Sequence, residues 1–185
     1  MTLTISLRAN MLIVAVISGV SVISALIMEH VFGVPACHLC HLERIAYYVS
    51  TPTALAAFFL MGRFLLVSRV LFGGVALAFL ANAGLGAYHA GVEWHWWAGP
   101  DACTGLQSLA TSSQDLLKSL SEQKAVVPCD EAPFYIFGLS LAGYNALLSL
   151  AVAILAGLGA AGYALSVRLW TPWAWLARDN SDASV

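Results

Sequence analysis

Four long apolar runs constrain the fold of this chain more than any other feature of its sequence. A helix needs about 20 mostly apolar residues to cross a hydrocarbon core of roughly 30 Å. The four runs cover about residues 11–28, 42–61, 70–89 and 134–167. None of them alternates with the period of two that marks a membrane β-strand. The sequence therefore predicts an all-α fold, an integral membrane four-helix transmembrane bundle in which residues 1–185 form one domain.

The composition supports a membrane location. Hydrophobic residues make up 60% of the chain and charged residues 10%, whereas roughly a quarter of the residues in a soluble domain are charged. One small core cannot bury so many apolar side chains, so lipid must cover the remainder. The net charge of −2 gives no electrostatic reason to expect nucleic-acid binding.

The basic residues predict the orientation, because cytoplasmic segments of membrane proteins are enriched in Lys and Arg. If the N-terminus is cytoplasmic, that side holds Arg8, Arg63, Arg69, Arg168 and Arg178, and the outer side holds Arg44, Lys118 and Lys124. We therefore expect a multi-pass membrane protein with both termini cytoplasmic. Its periplasmic loops would cover about residues 29–41 and 91–133. The first run also resembles a secretory signal, but it is long enough to span, so a retained helix is favoured.

All four cysteines fall in these two outer loops. Cys37 and Cys40 form a C-x-x-C pair, and Cys103 and Cys129 bracket 25 residues of the second loop. Disulfides persist in a periplasmic compartment. A bridge across two intervening residues removes little chain entropy, so it stabilises little and is more often redox-active. For Cys103 and Cys129 the residues alone leave a structural bridge and a redox pair equally open.

Metal and haem are alternatives for the first loop. The run Cys37-His38-Leu39-Cys40-His41 has thiol and imidazole ligands at a density typical of zinc sites. The second loop offers no matching C-x-x-C, and the two histidines flank the cysteines instead of forming a second ligand pair. Cys-x-x-Cys-His is also the attachment signature of c-type haem, but this loop is short for a haem pocket. The sequence therefore favours no metal here.

Arg44 lies one helical turn after Cys40, so the two side chains share a helix face if a helix begins near Cys40. A cation at the end of a span is usually retained for a function. It could stabilise a thiolate at the membrane surface. The alternatives are an arginine that reaches the lipid headgroups, or one paired with Glu43.

These motifs together resemble the DsbB family of disulfide bond formation proteins. The segment Cys37-His-Leu-Cys40-His-Leu-Glu43-Arg44 is similar to the C-x-L-C-x-x-E-R of that family. The segment Val127-Pro-Cys129-Asp130 resembles its second pair. The runs 88–94 (Tyr-His-Ala-Gly-Val-Glu-Trp) and 138–145 (Gly-Leu-Ser-Leu-Ala-Gly-Tyr-Asn) are similar to one branch of it. The resemblance covers nearly the whole chain.

The resemblance implies a membrane thiol:quinone oxidoreductase that reoxidises a periplasmic thioredoxin-fold oxidase of the DsbA type. It implies exchange first at a Cys103–Cys129 disulfide and then at a Cys37–Cys40 disulfide. Electrons would pass to a membrane quinone, either ubiquinone or menaquinone. Arg44, Glu43 and His89 would be quinone-site residues, although His89 could equally be a packing histidine. His38 and His41 depart from the plainest pattern of the family, and their role stays open.

Two other functions remain possible at this level. A vitamin K epoxide reductase-like enzyme would share the four-helix plan and the quinone chemistry. A non-enzymatic membrane protein could hold the same cysteines as structural disulfides.

Two further patterns predict helix contacts. In the second loop, leucines recur at helical spacing and predict a short amphipathic helix, either on the membrane surface or packed on the bundle: Leu106, Leu109, Leu116, Leu117 and Leu120. In the last run, Ala153, Gly157 and Ala161 are spaced by four and predict a close helix-packing face.

Overall fold

The computed structural model describes residues 2–100, 103, 128–163 and 165–168. In these ranges the chain forms four helices: α1 (Leu7–His30), α2 (His38–Leu60), α3 (Leu65–Glu93) and α4 (Leu141–Ala161). It also forms four short strands: β1 (Thr2–Ile5), β2 (Tyr135–Ile136), β3 (Leu139–Ser140) and β4 (Leu165–Arg168). The predicted amphipathic helix of the second loop lies outside the described residues. The prediction of a mostly helical chain is confirmed, but the strands make the all-α assignment incomplete.

The four helices pack in a ring, in which α1 contacts α2, α2 contacts α3, α3 contacts α4, and α4 contacts α1. Their inner faces form a common core that includes Met11, Val14, Tyr47, Phe72, Phe79 and Val152. Large apolar side chains also cover the outer faces, among them Val20, Ile23, Leu77, Leu80 and Ile154. An apolar exterior around a filled apolar core is what a lipid environment requires.

Three helices in the described part of the chain, α1, α3 and α4, are long and apolar enough to cross a membrane. The remaining helix, α2, is nearly as long as α1 and continues past the internal Pro52 without a break. Its first turns carry the polar and charged side chains of His38, His41, Glu43 and Arg44. These side chains lower the average apolarity of α2, and they also form part of the site described below.

The fourth apolar run is only partly helical. Residues 134–140 form a hairpin in which β2 pairs with β3, and Phe137 and Gly138 at its turn both have positive φ. Two consecutive positive φ values are typical of a tight hairpin turn. Ser140 then caps α4 by accepting a hydrogen bond from the Gly143 backbone N–H. At the other end Gly162, with φ 89°, terminates the helix in the left-handed conformation. Hydropathy alone detects neither boundary.

Strands β1 and β4 bring the two ends of the described chain together. They pair antiparallel, with Thr2 opposite Arg168 and Ile5 opposite Leu165. The segments before α1 and after α4 therefore lie at the same end of the bundle. Such an arrangement requires an even number of passages from one end of the bundle to the other.

Helices α3 and α4 approach each other closely at Gly86. A Cβ added there would lie 3.0 Å from the backbone nitrogen of Ala146 and 3.2 Å from its Cβ. The predicted packing face around Gly157 is not the close one, because an added Cβ there would come no nearer than 3.9 Å to Ala76. Gly159, two residues on, approaches the Phe72 ring instead. Of the three predicted residues, Ala153 is buried in the core, whereas Gly157 makes only an ordinary contact with α3.

Replacing Gly86 with alanine is expected to destabilise the bundle by about 1–3 kcal/mol, because the new methyl group meets helix backbone that cannot rotate away. The measurement is thermal or denaturant unfolding of the purified protein in detergent. Gly84→Ala is the matched control, since a Cβ on that residue of the same helix meets nothing within 4 Å. Equal stability of the two variants would contradict the close approach.

Candidate functional site

The C-x-x-C pair lies where α2 begins. Cys37 is the N-cap residue of α2, and its sulfur accepts a hydrogen bond from the backbone N–H of Cys40. The two Sγ atoms are 2.7 Å apart, so the pair is positioned for disulfide exchange. Cys37 is buried and Cys40 is partly exposed. A sulfur at a helix N-terminus is stabilised as a thiolate by the free N–H groups and the helix dipole.

The second cysteine pair packs against the first. Cys103 and Cys129 form a disulfide with a Cα–Cα distance of 5.2 Å. Both are buried, and with Cys37, Leu39 and Val92 they form one cluster, which we call the cysteine cluster. Cys40 packs at its edge. The fold thus brings together two pairs that are separated by 63 residues in the chain, counted from Cys40 to Cys103. Cys37 lies in the same buried cluster as the loop disulfide, and Cys40 packs against that cluster.

A histidine–carboxylate pair supports Cys37 from α3. The Nε2 atom of His89 lies 3.6 Å from the Cys37 sulfur. Its Nδ1 atom donates a hydrogen bond of 2.8 Å to Glu43 Oε1. His89 and Glu43 are 3% and 6% exposed, so this pair is shielded from water. The carboxylate fixes the tautomer and orientation of the imidazole and directs Nε2 at the sulfur.

The hydrogen bonds around Cys37 favour its thiolate. The contact with Cys40 and then the contact with His89 lower the pKa of the Cys37 thiol well below its usual range, against burial, which would raise it. Together with the position at the start of α2, these contacts concentrate the stabilisation of negative charge on Cys37.

Glu43 also connects the site to a polar chain inside the bundle. Its Oε2 atom accepts a hydrogen bond of 2.8 Å from the Asn145 amide. The Tyr47 hydroxyl donates to Asn145 Oδ1 at 2.5 Å and lies 3.2 Å from Ser149 Oγ, which accepts a bond from Asn82. The chain links α2, α3 and α4. Buried polar groups in an apolar bundle must be paired in this way, because an unpaired one would cost about 1–3 kcal/mol.

An apolar cavity of about 430 Å³ opens beside Cys40, between α1, α2 and α4. Its lining includes Val22, Ala25, Met28, Cys40, Glu43, Arg44, Asn145 and Leu148. Both the volume and the few polar groups in a mainly apolar wall are typical of sites that hold a small organic molecule.

Arg44 forms part of the cavity wall, but its ion pair is with Glu29 of α1. Its guanidinium also reaches the Ala25 carbonyl, at 3.5 Å. The alternative pairing with Glu43 is not found, since that carboxylate is bonded to His89 and Asn145. The contact with α1 holds the cation at the cavity edge, on the same helix as Cys40.

The structure brings together most of the residues that the sequence indicated and adds several that it did not. Cys37, Cys40, Cys103 and Cys129 meet in or beside one cluster, and Glu43, His89 and Arg44 lie around it. His38 and His41 are exposed on α2. The residues missed were Glu29, Tyr47, Asn82, Glu93, Asn145 and Ser149.

A weak signal for three of these was present in the helical spacing. Tyr47 follows Glu43 by four residues, Glu93 follows His89 by four, and Ser149 follows Asn145 by four. Residues four apart share a helix face. Glu93 is 7% exposed, and its Oε2 atom has no hydrogen-bond partner among the described residues.

The comparisons with known proteins identify the family of this chain. The family model described as disulfide bond formation protein DsbB matches residues 7–159. No curated protein and no solved structure matches the chain. The matched range includes all four helices except the last two residues of α4, and all four cysteines. This chain therefore belongs to the DsbB family, whose members are disulfide oxidoreductases of membranes.

Proposed function

We propose that this protein reoxidises a periplasmic thioredoxin-fold dithiol oxidase of the DsbA type and passes the electrons to a membrane quinone. One observation carries the proposal. Cys37 packs in the cysteine cluster with the Cys103–Cys129 disulfide, while Cys40 of the same C-x-x-C pair lines the apolar cavity. The pair therefore lies between a disulfide that a soluble partner could attack and a cavity that a lipid-dissolved acceptor could enter.

The first half of the reaction is exchange between sulfurs. A thiolate of the reduced partner attacks Cys103, and Cys129 leaves as a thiolate. The second partner thiolate then resolves the mixed disulfide, so the partner becomes a disulfide and the Cys103–Cys129 pair holds two electrons. Cys129 next attacks Cys37 of the oxidised C-x-x-C pair, and Cys40 leaves towards the cavity. Cys103 resolves this second mixed disulfide, which restores Cys103–Cys129 and leaves Cys37 and Cys40 reduced.

The cavity residues suit the second half. A quinone accepts two electrons and two protons, the number released when Cys37 and Cys40 reform their disulfide. Arg44, held by Glu29 at the cavity edge, stabilises negative charge beside Cys40. His89 and Glu43 form a buried pair that can take the proton of the Cys37 thiol, since Nε2 faces that sulfur. The apolar wall excludes water and accommodates a hydrocarbon-soluble ring.

The same proposal includes the topology. With all four helices spanning the inner membrane, the loop at 29–41 and the loop at 91–133 lie on the periplasmic side, and both termini are cytoplasmic. The pairing of β1 with β4 supports an even number of crossings. The packing of Cys37 and the Cys103–Cys129 disulfide in one buried cluster supports both loops being on one side. Either ubiquinone or menaquinone is compatible with the cavity.

Replacing Cys129 with serine is expected to trap the partner. In this variant Cys103 is a free thiol, and its thiolate attacks the disulfide of the oxidised partner and releases one partner thiolate. Because Cys129 is absent, no sulfur of this protein can displace the partner from Cys103, so the mixed disulfide accumulates. The measurement is non-reducing electrophoresis of membranes, followed by identification of the bound protein by mass spectrometry. A thioredoxin-fold protein is the expected partner.

Cys103→Ser is the matched control for trapping, because it removes the sulfur that the partner attacks while leaving Cys129 in place. It should yield little or none of the same complex. A well-expressed Cys129→Ser protein with no trapped thioredoxin-fold partner would contradict the proposed exchange. So would equal trapping by both variants.

A further inference from the structure

In the described part of the chain, three side chains of types that bind metals lie close together. The proposed electron transfer does not require all three to bind one common ion. The two sulfurs of Cys37 and Cys40 and a ring nitrogen of His89 lie within 4.8 Å of one another. Sequence spacing argued against a metal because the nearby His38 and His41 flank the cysteines. The third donor instead comes from α3, 49 residues beyond Cys40 in the chain, and only the fold brings it to the cysteines.

The sulfur–nitrogen distance matches tetrahedral zinc coordination, whereas the sulfur–sulfur distance is too short and must increase. With Zn–S near 2.3 Å and Zn–N near 2.0–2.1 Å, a tetrahedral site separates a sulfur from a nitrogen by about 3.5 Å. The Cys37 sulfur and His89 Nε2 are 3.6 Å apart. The two sulfurs, now 2.7 Å apart, would have to separate to about 3.8 Å. Rotation of the Cys40 side chain towards the cavity provides that movement, because Cys40 is only partly buried there.

The surroundings of His89 also resemble those of a metal ligand. Histidines that bind metals usually donate their other ring N–H to a carboxylate or carbonyl, which fixes the tautomer and raises basicity. His89 donates from Nδ1 to Glu43, and Glu43 is in turn held by the Asn145 amide. The Nε2 lone pair therefore points at the sulfurs. Two thiolates also neutralise a divalent cation, which makes the complex compatible with a buried apolar site.

We propose that the reduced Cys37–Cys40 pair and His89 bind one Zn²⁺ ion, with the fourth coordination position open to the apolar cavity. Binding releases two protons, one from the Cys40 thiol and one shared by Cys37 and His89, and moves no electrons. Thiolates held by the metal cannot close a disulfide, so bound Zn²⁺ would block reoxidation of the pair. Disulfide formation removes two of the three ligands, and the oxidised protein therefore has no such site. The inference does not depend on which acceptor or partner the relay uses.

The test is a metal titration of the full-length protein in detergent, in a Cys103→Ala/Cys129→Ala background so that only Cys37 and Cys40 can supply thiols. Co²⁺ is the probe, because thiolate ligation gives a charge-transfer absorbance that oxygen or imidazole ligation does not. The reduced protein is expected to bind about one Co²⁺ per chain, which Zn²⁺ displaces, and the oxidised protein none. His89→Gln is expected to weaken binding by at least about tenfold.

His41→Gln is the matched control, since His41 is exposed on the same turn as Cys40. The affinity of this variant for Co²⁺ should be unchanged. If the His89→Gln protein does not fold, the Glu43→Gln protein replaces it in the titration. Its affinity for Co²⁺ is expected to be about 10–100-fold lower than that of the parent protein. Three results would overturn the site: no binding by the folded reduced protein, binding without the thiolate band, or a loss of affinity in His41→Gln as large as in His89→Gln. The titration contains no quinone or partner, so a protein that fails to turn over can still show the site.

Discussion

Substitution of Cys40 by serine is expected to abolish quinone-dependent oxidation of the dithiol partner, with turnover falling by a factor on the order of 10³ or more. Without the Cys40 sulfur the C-x-x-C pair cannot form a disulfide, and the sulfur that lines the cavity is lost. The Cys103–Cys129 bond remains and can still accept electrons once. The variant should therefore oxidise about one partner molecule per chain and then stop. Quinone absorbance and the count of partner disulfides measure the two effects.

His41→Ser is the control for this experiment, because it makes a change of similar polarity on the next residue, whose side chain is exposed. Its turnover should stay near that of the unmodified protein. Sustained turnover by Cys40→Ser at the rate of the control would rule out the route from Cys40 to the cavity. An unmodified protein with no turnover at all would instead favour structural disulfides.

Replacing Glu43 with alanine is expected to lower the free energy of unfolding by about 3–5 kcal/mol. Glu43 accepts hydrogen bonds from α3 through His89 and from α4 through Asn145, at 2.8 Å in both cases. Its removal leaves the buried His89 and the half-buried Asn145 without their acceptor and frees the imidazole to rotate away from Cys37. Thermal unfolding in detergent measures the first effect. The rate at which the reduced C-x-x-C pair reoxidises with added quinone measures the second.

Two other variants make the Glu43 result specific. Glu43→Gln keeps an oxygen that can accept from one of the two donors, so an intermediate loss of stability is expected. Glu131→Ala removes an exposed carboxylate and should change the stability by less than about 0.5 kcal/mol. Equal stabilities for Glu43→Ala and Glu131→Ala would mean that the buried pair does not hold the helices together.

Features that depend on neighbouring residues could be predicted from the sequence. The apolar runs indicated α1, α2 and α3, and each of these helices begins a few residues before the run that predicted it. The segment from Cys37 to Arg44 is contiguous, so its resemblance to the DsbB family could be recognised without a structure, and the family match confirms it. The position of all four cysteines in or beside one cluster is compatible with that resemblance.

Features that depend on distant residues could not be predicted. Glu43 meets His89 across 46 residues and Asn145 across 102, and nothing in the local pattern of either helix specifies the partner. Arg44 pairs with Glu29 for the same reason. The hairpin before α4 was missed on other grounds, because residues 134–140 are as apolar as the helix that follows. Only the backbone conformation at Phe137 and Gly138 distinguishes them.

The pairing of β1 with β4 has a consequence for how the protein is made. The first strand leaves the ribosome before all four helices, and its partner leaves after them. Strand β1 therefore stays without its partner strand while the four helices that separate β1 from β4 are inserted. Closure of this small sheet can only be a late event in biogenesis, and truncation before residue 165 would leave the N-terminal strand permanently without its neighbour.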